Sequence, residues 1–445
     1  MTQPNILVFF TDQQRWDTAG CYGNPMGLTP NLDRLADEGV LFENVFSTQP
    51  LCQPVRSSIQ SGKYATAGGV WKNGIRLEME HDLLAQQFKQ AGYETAYIGK
   101  LHLASTWTEP VPPELRYGYE DFWEVADGLE GTSEPYKGHL FDTDGNPIEF
   151  DGRYRVDFLT DRALAYLEQK RDKPFFLFFS PLEPHHQNST LSFHGPDGSR
   201  EKYADPWVPE DLKGRPGDWP AELPDYYGCC ASLDTNLGRI EECLKRTGQW
   251  ENTILIFTSD HGCHFRTRNS EYKRSCHESS IHVPMVWHGP GFEGGQRVKG
   301  LAGLIDLPVT LLEAAELDVP NSYQGVSLMP LIKGTADEVQ EEIFIQLSEA
   351  EVGRALRTHK WKYGVFAPDK DGREVGDSDT YVERYLYDLE EDPHELYNLT
   401  GRGYDYRNIQ TEYREVADEL MARLKRRMVA AGEEEPEILP AKYYA

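Results

Sequence analysis

The sequence predicts an α/β protein. A central, mostly parallel sheet is sandwiched by helices, and a smaller C-terminal α+β unit follows, an antiparallel sheet plus a terminal helix. Three observations carry this expectation. Short apolar runs alternate with amphipathic helical stretches along the first three-quarters of the chain. Those runs are dense in β-branched and aromatic residues, as strands buried on both faces are. After about Leu331 the texture changes, and short strand-like segments succeed one another.

The first element is the run "NILVFF", read as a buried strand. "TPNLDRLADEG" follows as a helix, with Thr29 as its cap, Pro30 at the first helical position and Gly39 as its stop. In "LCQPVRSSIQSGK", Pro54 suits the first turn of a helix, which sets Cys52 just before a helix N-terminus. "HDLLAQQFKQAGY" carries apolar residues at helical spacing, "TAYI" is a strand, and "VDFLTDRALAYLEQK" is helical again. "FFLFFS" is a strand, "PDYYGCCASLDTNLGRIEECLKRTG" a longer helix, and "TILIFTS" and "VPMVWH" two more strands. Beyond a boundary near Gly334, "EIFIQLSE", "RALRTHKWKYGVF" and "RYLYDLEEDP" read as antiparallel strands and "EYREVADELMARLKRRMVAA" as the terminal helix. The expected units are 1–334 and 335–445. No internal repeat or low-complexity tract is visible.

Composition narrows the function. The 445 residues exceed one ordinary core, and 39% hydrophobic with 12% aromatic residues is enough to bury one and argues against disorder. Lys plus Arg number 45 and Asp plus Glu 73, a formal charge of −28. Such a chain repels nucleic acid and anionic membrane surfaces, so neither is an expected partner, and any local cluster of cations needs a reason. The seven cysteines are odd in number and show no CxxC spacing, so Cys21, Cys229, Cys230, Cys243, Cys263 and Cys276 read as structural, reduced thiols. The N-terminus has no basic region, and no segment reaches membrane-span length. The expectation is a cytoplasmic protein as the sequence stands, or a periplasmic or secreted one if a signal peptide has been removed.

In an open α/β sheet ligands bind beyond the carboxyl ends of the strands. Four runs end there in ionisable or metal-type residues: Asp12 and Gln13, Lys100 and His102, His185 and His186, and Asp260 and His261. Asp12, Gln13, Asp260 and His261 offer mostly oxygen ligands, which suit a hard cation, Ca²⁺ or Mg²⁺. Lys100, His102 and His185 add donors, joined by Lys273 of "EYKRSCHE". A divalent cation with several cationic side chains makes a pocket for a tetrahedral oxyanion. Cys52 at a helix N-terminus, with Arg56 one turn in, reads either as a nucleophile with a lowered pKa or as a small buried thiol; the C-x-P-x-R spacing alone does not decide.

At these residues the sequence resembles the type I, formylglycine-dependent sulfatases of the alkaline-phosphatase-like superfamily. The likeness runs along the whole chain through "PNILVFFTDQ", "TPNLDRLADEGVLFENVFS", "LCQPVRSSIQSGKY", "GYETAYIGKLHL", "TILIFTSDHG", "IDLPVTLLEAA", "GVSLMPLI" and "LYDLEEDPHELYNL", in the family's order. The resemblance implies an alkaline-phosphatase-like sheet and a cysteine converted after translation by a formylglycine-generating maturation enzyme. The hydrate of the resulting aldehyde at position 52 attacks sulfur to form a covalent sulfate ester, and its second hydroxyl then expels sulfate. It further implies that Asp12, Gln13, Asp260, His261 and the modified Cys52 hold the cation, Ca²⁺ by the family's habit with Mg²⁺ as the alternative. Arg56 would orient the formylglycine hydroxyl, and Lys100, His102 and Lys273 would hold sulfate oxygens. His185 would protonate the leaving oxygen, with His102 as the alternative. Gln13 falls where many members carry a second aspartate. Val55 replaces the usual Ser or Ala of the cysteine motif, Gln53 precedes its proline, and His277 and His282 stand where Tyr and Arg are usual.

Trp16, Arg76, Trp107, His186, Asn188, His264, Arg266 and Arg268 fall in loops expected to line the pocket. Aromatic faces stack on pyranose rings and cations bind neighbouring sulfate or carboxylate groups, so the expected substrate is a sulfated carbohydrate. Two alternatives accompany this reading. A phosphonate monoester or phosphodiester hydrolase of the same superfamily fits the Asp-Gln and Asp-His pairs. A catalytically silent sulfated-glycan-binding protein would have lost an essential group, and none is lost here.

Overall fold

A computed structural model describes residues 3–80, 82–400 and 411–441. His81, the first residue of one expected helix, lies outside them. Eleven strands form the main sheet: β1 Asn5–Thr11, β2 Val40–Phe46, β3 Glu94–Lys100, β4 Phe122–Ala126, β5 Ser133–Glu134, β6 Lys137–Phe141, β7 Pro147–Asp151, β8 Phe175–Ser180, β9 Thr253–Ser259, β10 Met285–His288 and β11 Gln296–Gly303. Their order is β11-β2-β10-β9-β1-β8-β3-β4-β6-β5, with β7 beside β6. The five neighbours β9-β1-β8-β3-β4 are all parallel.

Alternation along β1 explains the layering. Ile6, Val8 and Phe10 face one core, Leu7 and Phe9 the other, and all five are fully buried. On the first face the strand residues meet Val55 and Ile59 of the helix Cys52–Ser61 and Leu84 and Phe88 of the helix Leu84–Gln90. On the second they meet Leu32 and Leu35 of Pro30–Glu38, Leu159 and Ala163 of Arg155–Leu167, and Leu233 and Leu237 of Trp219–Arg246. Each such buried side chain contributes about 1.5–3 kcal/mol of transfer free energy.

Three local expectations change. Thr29 sits at the N-cap position, but its hydroxyl donates to Asp33 Oδ1 at 3.0 Å and accepts from Gly20 N at 2.9 Å, so it does not cap the helix. The "VPMVWH" run becomes β10, antiparallel to β9, because only the four-residue helix Glu278–Ile281 intervenes and no long crossover helix returns the chain. The segment "RALRTHKWKYGVF" splits into two strands at a turn in which Thr358 N donates to Trp361 O at 2.8 Å.

A second sheet orders β12 Ile343–Leu347, β13 Gly353–Arg357, β14 Trp361–Phe366, β15 Thr380–Asp388 and β16 Glu437–Leu439. The first four strands are antiparallel, while β16, which the sequence reading lacks, joins β15 in parallel after the helix Thr411–Ala430. Leu420, Leu424 and Met428 of that helix pack on Phe344, Leu356 and Tyr363. The proposed units, 1–334 and 335–445, share a core in which Phe46, Ile281 and Leu301 meet Ile343, Ile345 and Ala355. A buried ionic junction crosses beside it. Glu278 pairs with Lys362 at 2.7 Å and Arg357 at 3.3 Å, and Lys362 pairs with Glu395 at 2.5 Å. All seven cysteines are free. Among the described residues no helix is long and apolar enough to cross a membrane.

Candidate active site

The four strand ends singled out in the sequence belong to the adjacent parallel strands β9, β1, β8 and β3, so their loops open on one edge of the sheet. Gly99 helps hold that edge together. Its φ is +107°, and an added Cβ would lie 2.1 Å from Ser180 O on the neighbouring β8. Only glycine allows the approach that brings Lys100 and Ser180 to the same side.

Cys52 is the first residue of its helix, one position further in than expected, after an extended Leu51. Its Sγ lies 3.3 Å from His261 Nε2, 3.6 Å from Asp12 Oδ1 and 2.8 Å from Lys273 Nζ. The ligand atoms of Asp12, Cys52, Asp260 and His261 all fall within 4.8 Å of one another, and all four residues are buried. Arg56 Nη2 reaches Asp12 Oδ2 at 3.0 Å and Asp260 Oδ2 at 3.2 Å, while its Nη1 donates to Ser180 Oγ at 2.8 Å and Lys100 O at 3.1 Å. Lys100 Nζ sits between Asp12 Oδ2 and Glu130 Oε1, 2.9 Å from each.

The charges set the protonation states. Burial pushes the Cys52 thiol up, but Lys100, Lys273 and His261 outweigh it and hold the thiol well below its ordinary range. Burial and the neighbouring Cys52 also raise the Asp12 carboxyl, yet Lys100, His185 and Arg56 keep it well below the usual carboxylate value. Asp260, buried beside the Asp12 charge, is pushed up to about 6. Burial lowers Lys100, but Asp12, Cys52 and Glu130 more than restore its proton affinity. Burial, then Lys273, lowers His185.

A hard divalent cation fits this donor set. Arg56 and Lys100 occupy the Oδ2 atoms, leaving Asp12 Oδ1 at 3.9 Å and Asp260 Oδ1 at 3.5 Å from His261 Nε2. His261 Nδ1 donates to Gly262 O at 3.0 Å, so Nε2 carries a lone pair directed at the cluster. Gln13, with φ of +68°, donates its backbone N–H to Asp260 Oδ1 at 2.9 Å. Its side-chain oxygen lies 3.3 Å from His186 Nδ1.

A cavity of about 450 Å³ opens above this cluster. Cys52, His102, His185 and Lys273 form its floor; Trp107, His186 and Asn188, expected from the sequence, also line it. His185 Nδ1 donates to His186 O at 2.6 Å, and its Nε2 lies 3.2 Å from Lys273 Nζ.

Five expected pocket residues stand elsewhere. Trp16 stacks on His282 with ring centroids 4.3 Å apart, because the neighbouring Arg15 is drawn into a buried pairing with Asp17 and Asp211. Arg76 is solvent-exposed and faces Glu78 at 3.5 Å. His264 is fully buried, donates from Nε2 to Lys273 O at 3.1 Å, and is pulled down to about 3 by burial. Arg268 donates to the main-chain oxygens of His394 and Glu395, each at 2.8 Å, and Arg266 faces Asp218 at 3.4 Å.

Several cavity residues were missed, among them Ser105, Glu271 and Arg274, together with two acidic residues that shape the site. Glu130 pairs with Lys100 and faces His102 Nδ1 at 3.9 Å. Asp127 Oδ1 accepts from Leu103 N and Ala104 N, and its Oδ2 from Thr106 N and Trp107 N, at 2.8–3.2 Å, which shapes the loop carrying Trp107. The signal was present: "FWEVA" is β4, and it runs into Asp127 as the other strands run into theirs.

The sulfatase family model matches residues 4–317, and the model of the N-sulphoglucosamine sulphohydrolase C-terminal region matches residues 270–428. An ulvan-active sulfatase of Formosa agariphila is 31% identical, covering 97% of this chain and 82% of that protein. An N-acetylglucosamine-6-O-sulfatase of Bacteroides thetaiotaomicron is 25% identical over 95% of this chain and 87% of its own. The crystal structure of the phosphonate monoester hydrolase of Agrobacterium radiobacter has the same fold, with a TM-score of 0.73 at 23% identity, covering 96% of each chain.

Proposed function

The chain belongs to the sulfatase family and is a sulfuric ester hydrolase of the alkaline-phosphatase-like fold, and from that premise we propose that it removes sulfate from a sulfated carbohydrate through a formylglycine made from Cys52. The observation that carries the reading is the placement of Cys52: a helix N-terminus inside a cavity, its Sγ 2.8 Å from Lys273 Nζ and 3.3 Å from His261 Nε2. Formylglycine at that position supplies a hydrated aldehyde whose hydroxyl is a nucleophile toward sulfur. Asp12, Asp260 and His261, with Gln13 beside them, would hold one divalent cation, Ca²⁺ by the hardness of the donors, which supplies charge neutralisation for sulfate oxygens. The sulfated character of the glycan follows from the ulvan-active and N-acetylglucosamine-6-O-sulfatase relatives.

The chain's own residues have distinct tasks. Arg56 bridges Asp12 and Asp260 through their Oδ2 atoms and leaves both Oδ1 atoms on the side of the cluster. Lys273 places an ammonium group at the floor and Lys100 a second one beneath it, between Asp12 and Glu130, on the side where negative charge grows as the S–O bond breaks. His102 lines the same floor beside Glu130. His185 Nε2 accepts from Lys273 in the free enzyme; a sulfate oxygen that draws Lys273 away frees this nitrogen to hold a proton for the leaving oxygen.

Mass spectrometry of the peptide carrying Cys52, from protein made with a maturation enzyme, tests the reading: the expected change is a loss of about 18 Da, as the thiol becomes an aldehyde. A retained thiol in the presence of a competent maturase would overturn it.

A leaving-group comparison tests His185. His185→Ala is expected to lower kcat on an alkyl sugar sulfate by about 10²–10³-fold, and on 4-nitrophenyl sulfate, whose phenolate leaves unprotonated, by less than about 10-fold. Equal losses on both esters would remove His185 as the proton donor and leave His102 in its place.

Gln13 beside Asp12 favours a second reading, a phosphonate monoester or phosphodiester hydrolase. The intact Lys100 and His102 pair with Glu130 beneath it speaks for sulfate. Turnover of 4-nitrophenyl sulfate against phenyl 4-nitrophenyl phosphonate separates the two.

A further inference from the structure

We propose that the outer half of the cavity selects sulfate esters of electrically neutral sugars that carry a single sulfate, with Trp107 as the platform for the sugar ring and Glu271 as the group that turns away a second anion. This rests on the sulfate-ester reading above and narrows its substrate class.

The two lysines at and beneath the floor are already committed. Lys273 contacts Cys52 and His185, and Lys100 is fully buried between Asp12 and Glu130. Toward the mouth, the charged side chains among the described lining residues are Glu271 and Arg274. Arg274 is already paired twice, to Glu271 at 3.1 Å and to Glu349 at 2.7 Å. One guanidinium is thus shared between Glu271 on the lining and Glu349 outside it, so Arg274 has no charge left over for a ligand. Arg76 and Arg268, cations the sequence offers for neighbouring anionic groups, are held outside the cavity, as is His264. A sulfate ester entering with its anion toward Lys273 finds a matching floor. A second sulfate or a carboxylate on the same sugar would meet Glu271 with no free cation to receive it.

The wall beside this rim is built for an uncharged ring. Trp107 lines the cavity, is 43% exposed, and its ring centroid lies 6.0 Å from that of His102. Behind it, a Cβ added at Gly128 would come within 2.4 Å of the indole and one at Gly131 within 2.7 Å. Neither glycine needs a positive φ; their lack of a side chain is what lets the indole lie close against the backbone. Trp107 N donates to Asp127 Oδ2 at 3.2 Å and Trp107 O accepts from Gly128 N at 2.9 Å, which fixes the residue at both ends. A large aromatic surface pinned from behind and open in front is a stacking surface for the C–H face of a pyranose. Asn188 and Ser105 line the same space with neutral groups that can exchange hydrogen bonds with sugar hydroxyls.

The test uses the full chain with Cys52 converted, verified by mass. Sulfate release is measured on monosulfated N-acetylhexosamines, on the same sugars with a second O-sulfate, and on 4-nitrophenyl sulfate as reference. The expected result is a preference of about 10-fold or more in kcat/KM for a monosulfated over its disulfated partner. Glu271→Lys should shrink that ratio by about 5-fold or more, since it replaces the repelling group with a receiving one. Trp107→Ala should raise KM for the preferred sugar by about 10-fold with a smaller change in kcat, as loss of uniform binding does. A wild-type preference for disulfated sugars, a ratio unmoved by Glu271→Lys, or turnover of the aryl ester with neither sugar accepted would overturn this proposal alone. Sulfate release from no ester at all would overturn the reading beneath it as well.

Discussion

Cys52→Ala lowers kcat on every sulfate ester by about 10⁴-fold or more, because it removes the group that attacks sulfur and no neighbour can replace it. The fold should survive. The side chain shrinks by one atom, and that atom faces Lys273 Nζ and His261 Nε2 at the cavity floor, so the loss opens into the cavity and creates no void in the apolar core. The α-carbon and Cβ that start the helix remain. Thermal unfolding of the variant within about 1 °C of the parent, a shift of about 1 kcal/mol or less for a chain of this size, together with lost sulfate release, is the expected pair of results. Retention of a tenth of the parent's turnover would show that another group performs the attack.

The second large effect falls on Lys100. Its ammonium is fully buried and divides its charge between Asp12 Oδ2 and Glu130 Oε1. Lys100→Met keeps the length and apolar stem but leaves Glu130 without its cation and Asp12 with Arg56 alone. Breaking a buried pair in this way costs about 3–5 kcal/mol, because the remaining charge stays desolvated. Urea unfolding of the cation-free protein measures it. Glu130→Gln in the same chain removes the stranded charge, so the double variant should recover about 1–3 kcal/mol of stability. Activity should not recover: both variants lose a positive charge beneath the floor and fall about 10²–10³-fold in kcat/KM. Stability and activity therefore separate. If the double variant regained turnover, Lys100 would be a counter-ion for Glu130 and no part of the sulfate site.

Strand ends were the part of this molecule most readable in its sequence. Period and apolar density located β1, β3, β8 and β9, and the rule that parallel strands present their carboxyl ends together placed Asp12, Lys100, His185 and Asp260 in one site before any contact was known. The rule failed where a strand was not recognised. "FWEVA" is short and contains Glu124, so β4 went unread, and with it Asp127 and Glu130. Loop residues were legible by type and not by destination. Trp16, Arg76, His264 and Arg268 have the chemistry of a sugar site, but their positions follow from contacts that residue type does not announce: His282 and the main chain at His394 and Glu395, distant in sequence, and Glu78 and Lys273, close by. Trp107 reached the cavity because Asp127, twenty residues away, holds the loop that carries it. Thr29 shows the same limit at small scale, its hydroxyl taken by Asp33 and Gly20.

The buried junction of Glu278 with Lys362, Arg357 and Glu395 has a temporal consequence. Glu278 lies five residues after Lys273, and Arg357, Lys362 and Glu395 are all encoded more than seventy residues downstream of it. On the ribosome, every residue that faces sulfate has emerged while the cations that neutralise Glu278 are still being synthesised. The segment holding Lys273 acquires its permanent anchor only when β13 and β14 arrive and dock. The C-terminal sheet thus acts as a completion signal, and a chain cut short in translation presents its catalytic groups without the framework that sets their positions.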